Sequence, residues 1–253
     1  MFMETSFIFR RAIQALLPAT LLLASCGKND APAPPVAPDT AKVLAVHGAV
    51  NNSTRPIKVT VGDKEGPSVT YGTNTPYQTI ATGNLAVKAA IDASGGATLY
   101  NMPQAVVKDK SYSFFAYSIP GQSTGTVSGL WVEDVLTAPA TATNAKVRLV
   151  HIGQDLESPL TLSRTPSGGG ALAAVTTATA VGQASAFVEI PAGTASYNLA
   201  NSNNSAIQPA FGGAILATPF VAGGIYTIVV RGASVAAAPT DNEKFTLQLI
   251  KHN

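Results

Sequence analysis

From residue 41 onward, apolar and polar positions alternate with a period of two over short runs. Gly, Pro, Asn and Ser interrupt the runs about every 8 to 15 residues. The last run is the plainest, with Phe245, Leu247 and Leu249 alternating with Thr246 and Gln248, which predicts a strand with one buried face. Tyr226, Ile228 and Val230 predict another, and Tyr112, Phe114 and Ala116 a third. No stretch carries a convincing helical stripe. Ala214 to Val230 is apolar, but Pro219, Gly223 and Gly224 break it into strand, turn and strand rather than a membrane span. The fold class predicted is all-β: antiparallel β-sandwiches, immunoglobulin-like, of about seven strands per domain.

The pattern repeats. Ala41-Lys42-Val43-Leu44-Ala45-Val46-His47-Gly48 returns as Ala145-Lys146-Val147-Arg148-Leu149-Val150-His151-Ile152, and further matches follow in the same order. Pro56-Ile57-Lys58-Val59 answers Pro159-Leu160-Thr161-Leu162. Tyr77 to Gly83 answers Phe187 to Gly193, and Ser111 to Phe114 answers Ile225 to Ile228. A period of roughly 100 residues is domain-sized, well above that of a solenoid. Two homologous sandwich domains are therefore expected, residues 41–138 and 145–253, joined around Ala138-Pro139-Ala140-Thr141.

Ahead of them the chain reads differently. Arg10 and Arg11 precede an apolar segment, Ala12 to Leu23, too short to cross a bilayer core of about 30 Å as a helix. It ends in Leu23-Ala24-Ser25-Cys26, the form of a bacterial lipoprotein processing site. Residues 1–25 read as the signal peptide, and Cys26 as the lipid attachment site. Several acyl chains on one cysteine anchor firmly where a single chain anchors marginally. Cys26 is the one cysteine of the chain, so none remains for a disulfide, a metal or catalysis.

Residues 26–40 form a linker. Gly27-Lys28-Asn29-Asp30 resembles the signal that sends Bacteroidota lipoproteins to the outer leaflet of the outer membrane, with Asn29 in an acidic place. Ala31 to Thr40, APAPPVAPDT, favours extended polyproline II and acts as a semi-rigid spacer. Asp39-Thr40-Ala41 resembles the Bacteroidota O-glycosylation sequon, which makes Thr40 a modification candidate. The localisation expected is a cell-envelope, outer-membrane lipoprotein exposed at the surface.

Charge narrows the partners. The formal net charge is +2 and only 12% of residues are charged; loss of Arg10, Arg11 and Glu4 with the signal brings the chain closer still to neutral. That is no footprint for nucleic acid. The partners expected are the membrane, through the anchor, and surface proteins or glycans.

The histidines at the ends of the repeated first strand, His47 and His151, are the most suggestive polar residues. Each is followed four positions later by Asn51 or Asp155. One imidazole with one carboxylate falls short of a metal's three or four ligands. Each histidine shares a face with apolar neighbours, Val43 and Ala45 or Val147 and Leu149, at the rim of a core, where it can hydrogen-bond the following loop. His47, His151 and Asp155 stay as a candidate loop site, and Asp155 with Glu157 as a weak candidate for calcium.

Other motifs carry less. Gly121-Gln122-Ser123-Thr124-Gly125 has the hydrolase-elbow spacing but sits between two strands rather than before a helix. Gly168-Gly169-Gly170 lacks the lysine and helix of a phosphate loop. Glu133 and Asp134 are adjacent in a strand, so they point to opposite faces and cannot act as an acid/base couple. Tyr112 and Tyr226 resemble the tyrosine corner of sandwiches, and Trp131 reads as core. No catalytic set and no cofactor beyond the covalent lipid is expected.

The first strand ending in Val-His, the Phe187-Val188-Glu189-Ile190-Pro191-Ala192-Gly193 segment and Gly224-Ile225-Tyr226-Thr227 together resemble the bacterial "domain of unknown function 4397" family. The resemblance spans nearly all the chain after the signal and is better in the second repeat, since the first has Ala81-Thr82-Gly83 for Pro-Ala-Gly. Members usually carry Ser-Pro-Asp-Ala-Pro after the histidine. These loops read Gly48-Ala49-Val50-Asn51-Asn52 and Ile152-Gly153-Gln154-Asp155-Leu156, so only Asp155 keeps the acid. The resemblance implies exported, often lipid-anchored β-sandwich modules and no established activity. The function expected is a membrane-anchored, non-enzymatic structural, adhesive or protein-interaction role, with a carbohydrate-binding accessory lipoprotein as the alternative. Exposure of Trp131, Tyr71, Tyr77 and Tyr100 separates the two.

Overall fold

The computed structural model describes residues 38–119, 121, 125–154, 159–165, 171–193, 195–201, 220–233, 240 and 243–253. Of residues 1–37 and residues 38–253, all the described residues lie in the latter span, which clusters as one compact unit. In the latter, β1 (Thr40–Gly48), β2 (Ile57–Val61), β3 (Lys64–Val69), β4 (Gln78–Ala81), β5 (Gly83–Ile91), β6 (Thr98–Val106), β7 (Ser111–Tyr117) and β8 (Ser128–Glu133) build the first sandwich. The second follows as β9 (Asn144–His151), β10 (Thr161–Arg164), β11 (Ala173–Ala174), β12 (Gln183–Ala184), β13 (Val188–Pro191), β14 (Tyr197–Ala200), β15 (Ile225–Arg231) and β16 (Thr246–Lys251).

Each sandwich pairs two sheets. In the first they run β4-β1-β7-β8 and β3-β2-β5-β6; in the second, β12-β9-β15-β16, with β13 also on β9, and β11-β10-β14. The sandwiches are not wholly antiparallel, because β1 pairs parallel with β7 and β9 parallel with β15. The chain leaves β1 for the other sheet and returns as β7 running the same way, which a long crossover permits and a hairpin does not. The repeat holds to the residue. Val43 lies opposite Tyr112 as Val147 lies opposite Tyr226, and Val43 opposite Gln78 as Val147 opposite Val188.

Alternation places the cores. Ala41, Val43 and Ala45 of β1, with Tyr112, Phe114 and Ala116 of β7, pack on Ile57, Val59, Val87 and Leu99. Val147, Leu149, Tyr226 and Ile228 pack on Leu160, Leu162, Tyr197 and Leu199 in the second sandwich. The tyrosine corner occurs twice, the Val107 and Val221 amides donating to Tyr112 Oη (3.0 Å) and Tyr226 Oη (3.1 Å). Residues of the opposite phase do not meet water. Leu44, Val46 and Phe115 form a third core with Val150, Ile152, Val229 and Ile250, so the outer face of one sandwich lies on the outer face of the other. At roughly 1.5–3 kcal/mol per fully buried apolar side chain, this seam binds the sandwiches into a four-layer stack.

Contacts across the seam come in equivalent pairs. Gly72, whose amide donates to His47 O (2.8 Å), abuts the Arg231 guanidinium. Gly182, whose amide donates to His151 O (2.7 Å), abuts Tyr117 in the same manner, and Arg231 and Tyr117 are the closing residues of β15 and β7. A contact that recurs with the partners exchanged is the signature of two-fold, isologous packing, here within a single chain.

Candidate functional site

His47 stands one residue before the end of β1 and His151 closes β9, and both are fully buried. The His47 Nδ1 accepts the Ala49 N–H (3.4 Å), and its Nε2 stands 3.1 Å from the Arg55 carbonyl, an acceptor, which requires the hydrogen on Nε2. His151 Nδ1 accepts the Gly153 N–H at 3.3 Å, the same contact one repeat later. Burial, above all, holds the His47 pKa down; backbone carbonyls of Arg55 and Asn52 oppose the shift and the Arg231 charge adds to it. The ring of His47 is thus neutral, and both its nitrogens are engaged in shaping the loop that follows.

That loop is where the far ends of the sandwiches meet. Tyr71 lies edge-on to His47 at 5.7 Å and carries Arg231 over its ring at 4.9 Å. Glu243 accepts from Ser53 across the seam, and Val50, Tyr71 and Ala233 pack together. Asp155 and Glu157 lie outside the described residues, as do Ser123, Gly168-Gly169-Gly170 and Cys26. Thr40 is exposed at the start of β1, opposite Ala81, and Asp39 beside it pairs with Lys108 at 2.7 Å. Among the described residues no three His, Cys, Asp or Glu side chains gather as metal ligands.

Midway along the seam lies an arrangement that pattern reading misses. Glu133 and Asp134 do diverge, Glu133 outward to Lys110 (2.6 Å) and Asp134 into the interior. Asp134 there meets Arg148, which is 1% exposed. Arg148 Nε also donates to Thr227 Oγ1 (2.8 Å) and Nη1 to the Glu133 carbonyl (3.2 Å), with the guanidinium 4.6 Å from the Phe187 ring centre. The other carboxylate oxygen of Asp134 accepts Tyr77 Oη (2.5 Å) and Ser113 Oγ (2.8 Å). His252 closes the circle, Nδ1 2.7 Å from Tyr77 Oη and Nε2 2.7 Å from Thr227 Oγ1. Tyr77 and His252 are 175 positions apart, beyond any local signal.

The aromatic residues are turned inward. Tyr71 is buried; Tyr77, Tyr100 and Trp131 are half-buried, Trp131 stacked on Tyr112 (4.9 Å) and Tyr100 tilted on Phe114 (5.2 Å). None of the four is among the exposed residues, and only Tyr71 is fully buried. A depression of about 370 Å³ lies at the end of the first sandwich where β7 starts, lined by Lys108, Lys110, Ser111, Glu133 and Leu136 among others, and no histidine reaches it. No helix among the described residues is long and apolar enough to cross a membrane.

Residues 41–158 match the model of a family described as "Domain of unknown function (DUF4397)". The matched stretch is the first sandwich and β9, not the second repeat that the motifs favour. No curated protein matches. Among solved structures, one described as a "putative cell adhesion protein" from Bacteroides uniformis is 10% identical, covering 85% of this chain and 98% of that one with a TM-score of 0.24, too low to support an argument.

Proposed function

We propose, from the premise that residues 41–158 make this chain a carrier of the DUF4397 domain, that it is a lipid-anchored module of the cell envelope with a non-enzymatic structural or adhesive role. The observation that carries this reading is the seam. Two sandwiches that could each present an outer sheet face to a ligand instead cover those faces with each other, Leu44, Val46 and Phe115 against Val150, Val229 and Ile250. The result suits a stiff display body, with loops at its rims left for contact.

The commitment of His47 to backbone groups on both nitrogens supports a loop-shaping role over a catalytic one. Burial of Tyr71 and the half-burial of Trp131, Tyr77 and Tyr100 leave the carbohydrate-binding alternative with no fully exposed ring among these four. The anchor at Cys26, the spacer to Thr40, the outer-membrane surface location and the modification of Thr40 belong to this reading on the strength of the sequence.

Growth of expressing cells with an alkyne fatty acid tests the anchor. The chain is expected to take up label, and Cys26→Ala to lose it; an unlabelled parent chain would sink the proposal. Protease shaving of intact cells then reports whether the body faces outward.

A further inference from the structure

The circle of side chains at the seam contains one titratable ring whose charged form it does not accommodate. Hydrogen directions follow from the fixed donors. Arg148 Nε–H points at Thr227 Oγ1 (2.8 Å), and the threonine hydroxyl in turn faces His252 Nε2 (2.7 Å). Tyr77 Oη gives its single hydrogen to Asp134 Oδ2 (2.5 Å), so the hydrogen between Tyr77 and His252 (2.7 Å) comes from Nδ1. Nε2 is therefore the acceptor for Thr227, and Arg148 Nη2 to Asp134 Oδ1 completes a loop in which Arg148 only gives, Asp134 only receives, and Thr227, His252 and Tyr77 each do both.

A second proton on His252 would sit on Nε2 and face Thr227 Oγ1, which would then meet two N–H donors. It would also set a cation near the Arg148 guanidinium, where the one carboxylate, Asp134, is already matched. The groups facing His252 come from five elements. They are Tyr77 ahead of β4, Asp134 after β8, Arg148 on β9, Phe187 ahead of β13 with its ring edge-on at 6.0 Å, and Thr227 on β15. Lys251, its neighbour on β16, is exposed.

We propose that this circle is a proton-operated latch between the sandwiches, closed around neutral His252 and released at the seam when His252 takes a proton. Tyr77, Ser113 and Asp134 belong to the first sandwich and Arg148, Phe187, Thr227 and His252 to the second, so the circle cannot survive their separation. The apolar seam keeps the sandwiches together at neutral pH, and the latch sets how that hold depends on acid. Burial is the main cause that lowers the His252 pKa from 6.5 to about 4, with Asp134 opposing and Arg148 adding. The sign follows directly. An imidazole that prefers to be neutral when closed contributes its full share above its open-state value. That share is lost as pH falls from 6.5 toward 4, and the loss levels off below. The opening constant thus rises about 30-fold between pH 7.5 and 5, and about 300-fold below pH 4.

A thiol placed in the seam reads opening directly. Val229 is fully buried there, so Val229→Cys in the chain carrying Cys26→Ser offers a single reactive group. Its labelling rate, divided at each pH by that of a free cysteine peptide, is expected to rise about 30-fold from pH 7.5 to 5. Adding His252→Gln is expected to flatten the rise. No rise, or an equal rise with His252→Gln, would overturn the latch and move any acid sensitivity to His47 or His151. Should His252→Gln not fold, the NMR titration of His252 in the unsubstituted chain decides. A midpoint near 4 supports the latch, and one near the ordinary 6.5 refutes it.

Discussion

At the seam the first sandwich places Leu44, Tyr77, Ser113 and Asp134; the equivalent places of the second hold Arg148, Phe187, Thr227 and His252. Around these four the two faces remain alike, down to Gly72 and Gly182. The differences are complementary, since the carboxylate is on one face and both nitrogen bases are on the other. Two copies of the first face would bring Asp134 to the place of Leu44. Two copies of the second would bring Arg148 to His252 with no carboxylate. Divergence of a duplicated surface has thus made like pair with unlike, which is specificity through what the wrong pairings leave unmatched.

The comparison breaks most visibly at Asp134. Asp134→Ala leaves Arg148 charged and buried without its partner, and is expected to cost about 3–5 kcal/mol, read as a lower urea midpoint at unchanged slope. Asp134→Leu combined with Arg148→Leu, which gives the second sandwich the leucine that the first has at Leu44 and removes the facing carboxylate with it, is expected to be less unstable than either single change. A double variant worse than both singles would mean that the charge pair is not what the rest of the circle depends on.

A smaller effect tests the two-fold relation. Gly72 and Gly182 share a left-handed backbone, φ +77° and +74°, and each presses on the residue closing β15 or β7. Alanine is expected to cost about 1–2 kcal/mol at either position from backbone strain alone. Gly182→Ala should be the worse, since Tyr117 is a rigid ring and the Arg231 guanidinium ends a flexible chain. Thermal unfolding of the two variants side by side decides; a larger loss at Gly72 would contradict the contact.

The smallest effect should also be the most nearly equal. Tyr112→Phe and Tyr226→Phe each remove one corner bond of matching span, at about 1 kcal/mol apiece. A gap between them larger than the loss itself would show that the two corners are not equivalent in energy.

Much of this body was readable in the chain. The repeat gave which strands are equivalent, and the structure pairs the equivalent residues alike, Val43 with Tyr112 and Val147 with Tyr226. Alternation put Glu133 and Asp134 on opposite faces. The seam was harder to see, for two reasons. Its polar members, Ser113, Arg148 and Thr227, sit where a strand normally turns side chains to water, and nothing local distinguishes solvent from another sheet. The apolar run Val43-Leu44-Ala45-Val46 was the available clue, because a strand buried on both faces loses its alternation. The parallel pairing of β1 with β7 escaped for a related reason: period-two runs look the same in either direction.

One consequence of that pairing is mechanical. The described chain enters the body at Pro38, Asp39 and Thr40, directly into β1, which is held by β4 on one side and β7 on the other. Tension applied through residues 38–40 and resisted at the opposite rim would act along the axis of β1, across rungs that lie perpendicular or slanted to it. Those rungs are strained in shear and must fail together, whereas a strand peeled from its end lets them go one at a time. Were the body anchored as proposed, a pull from flow or from a neighbouring cell would meet rungs that share the load.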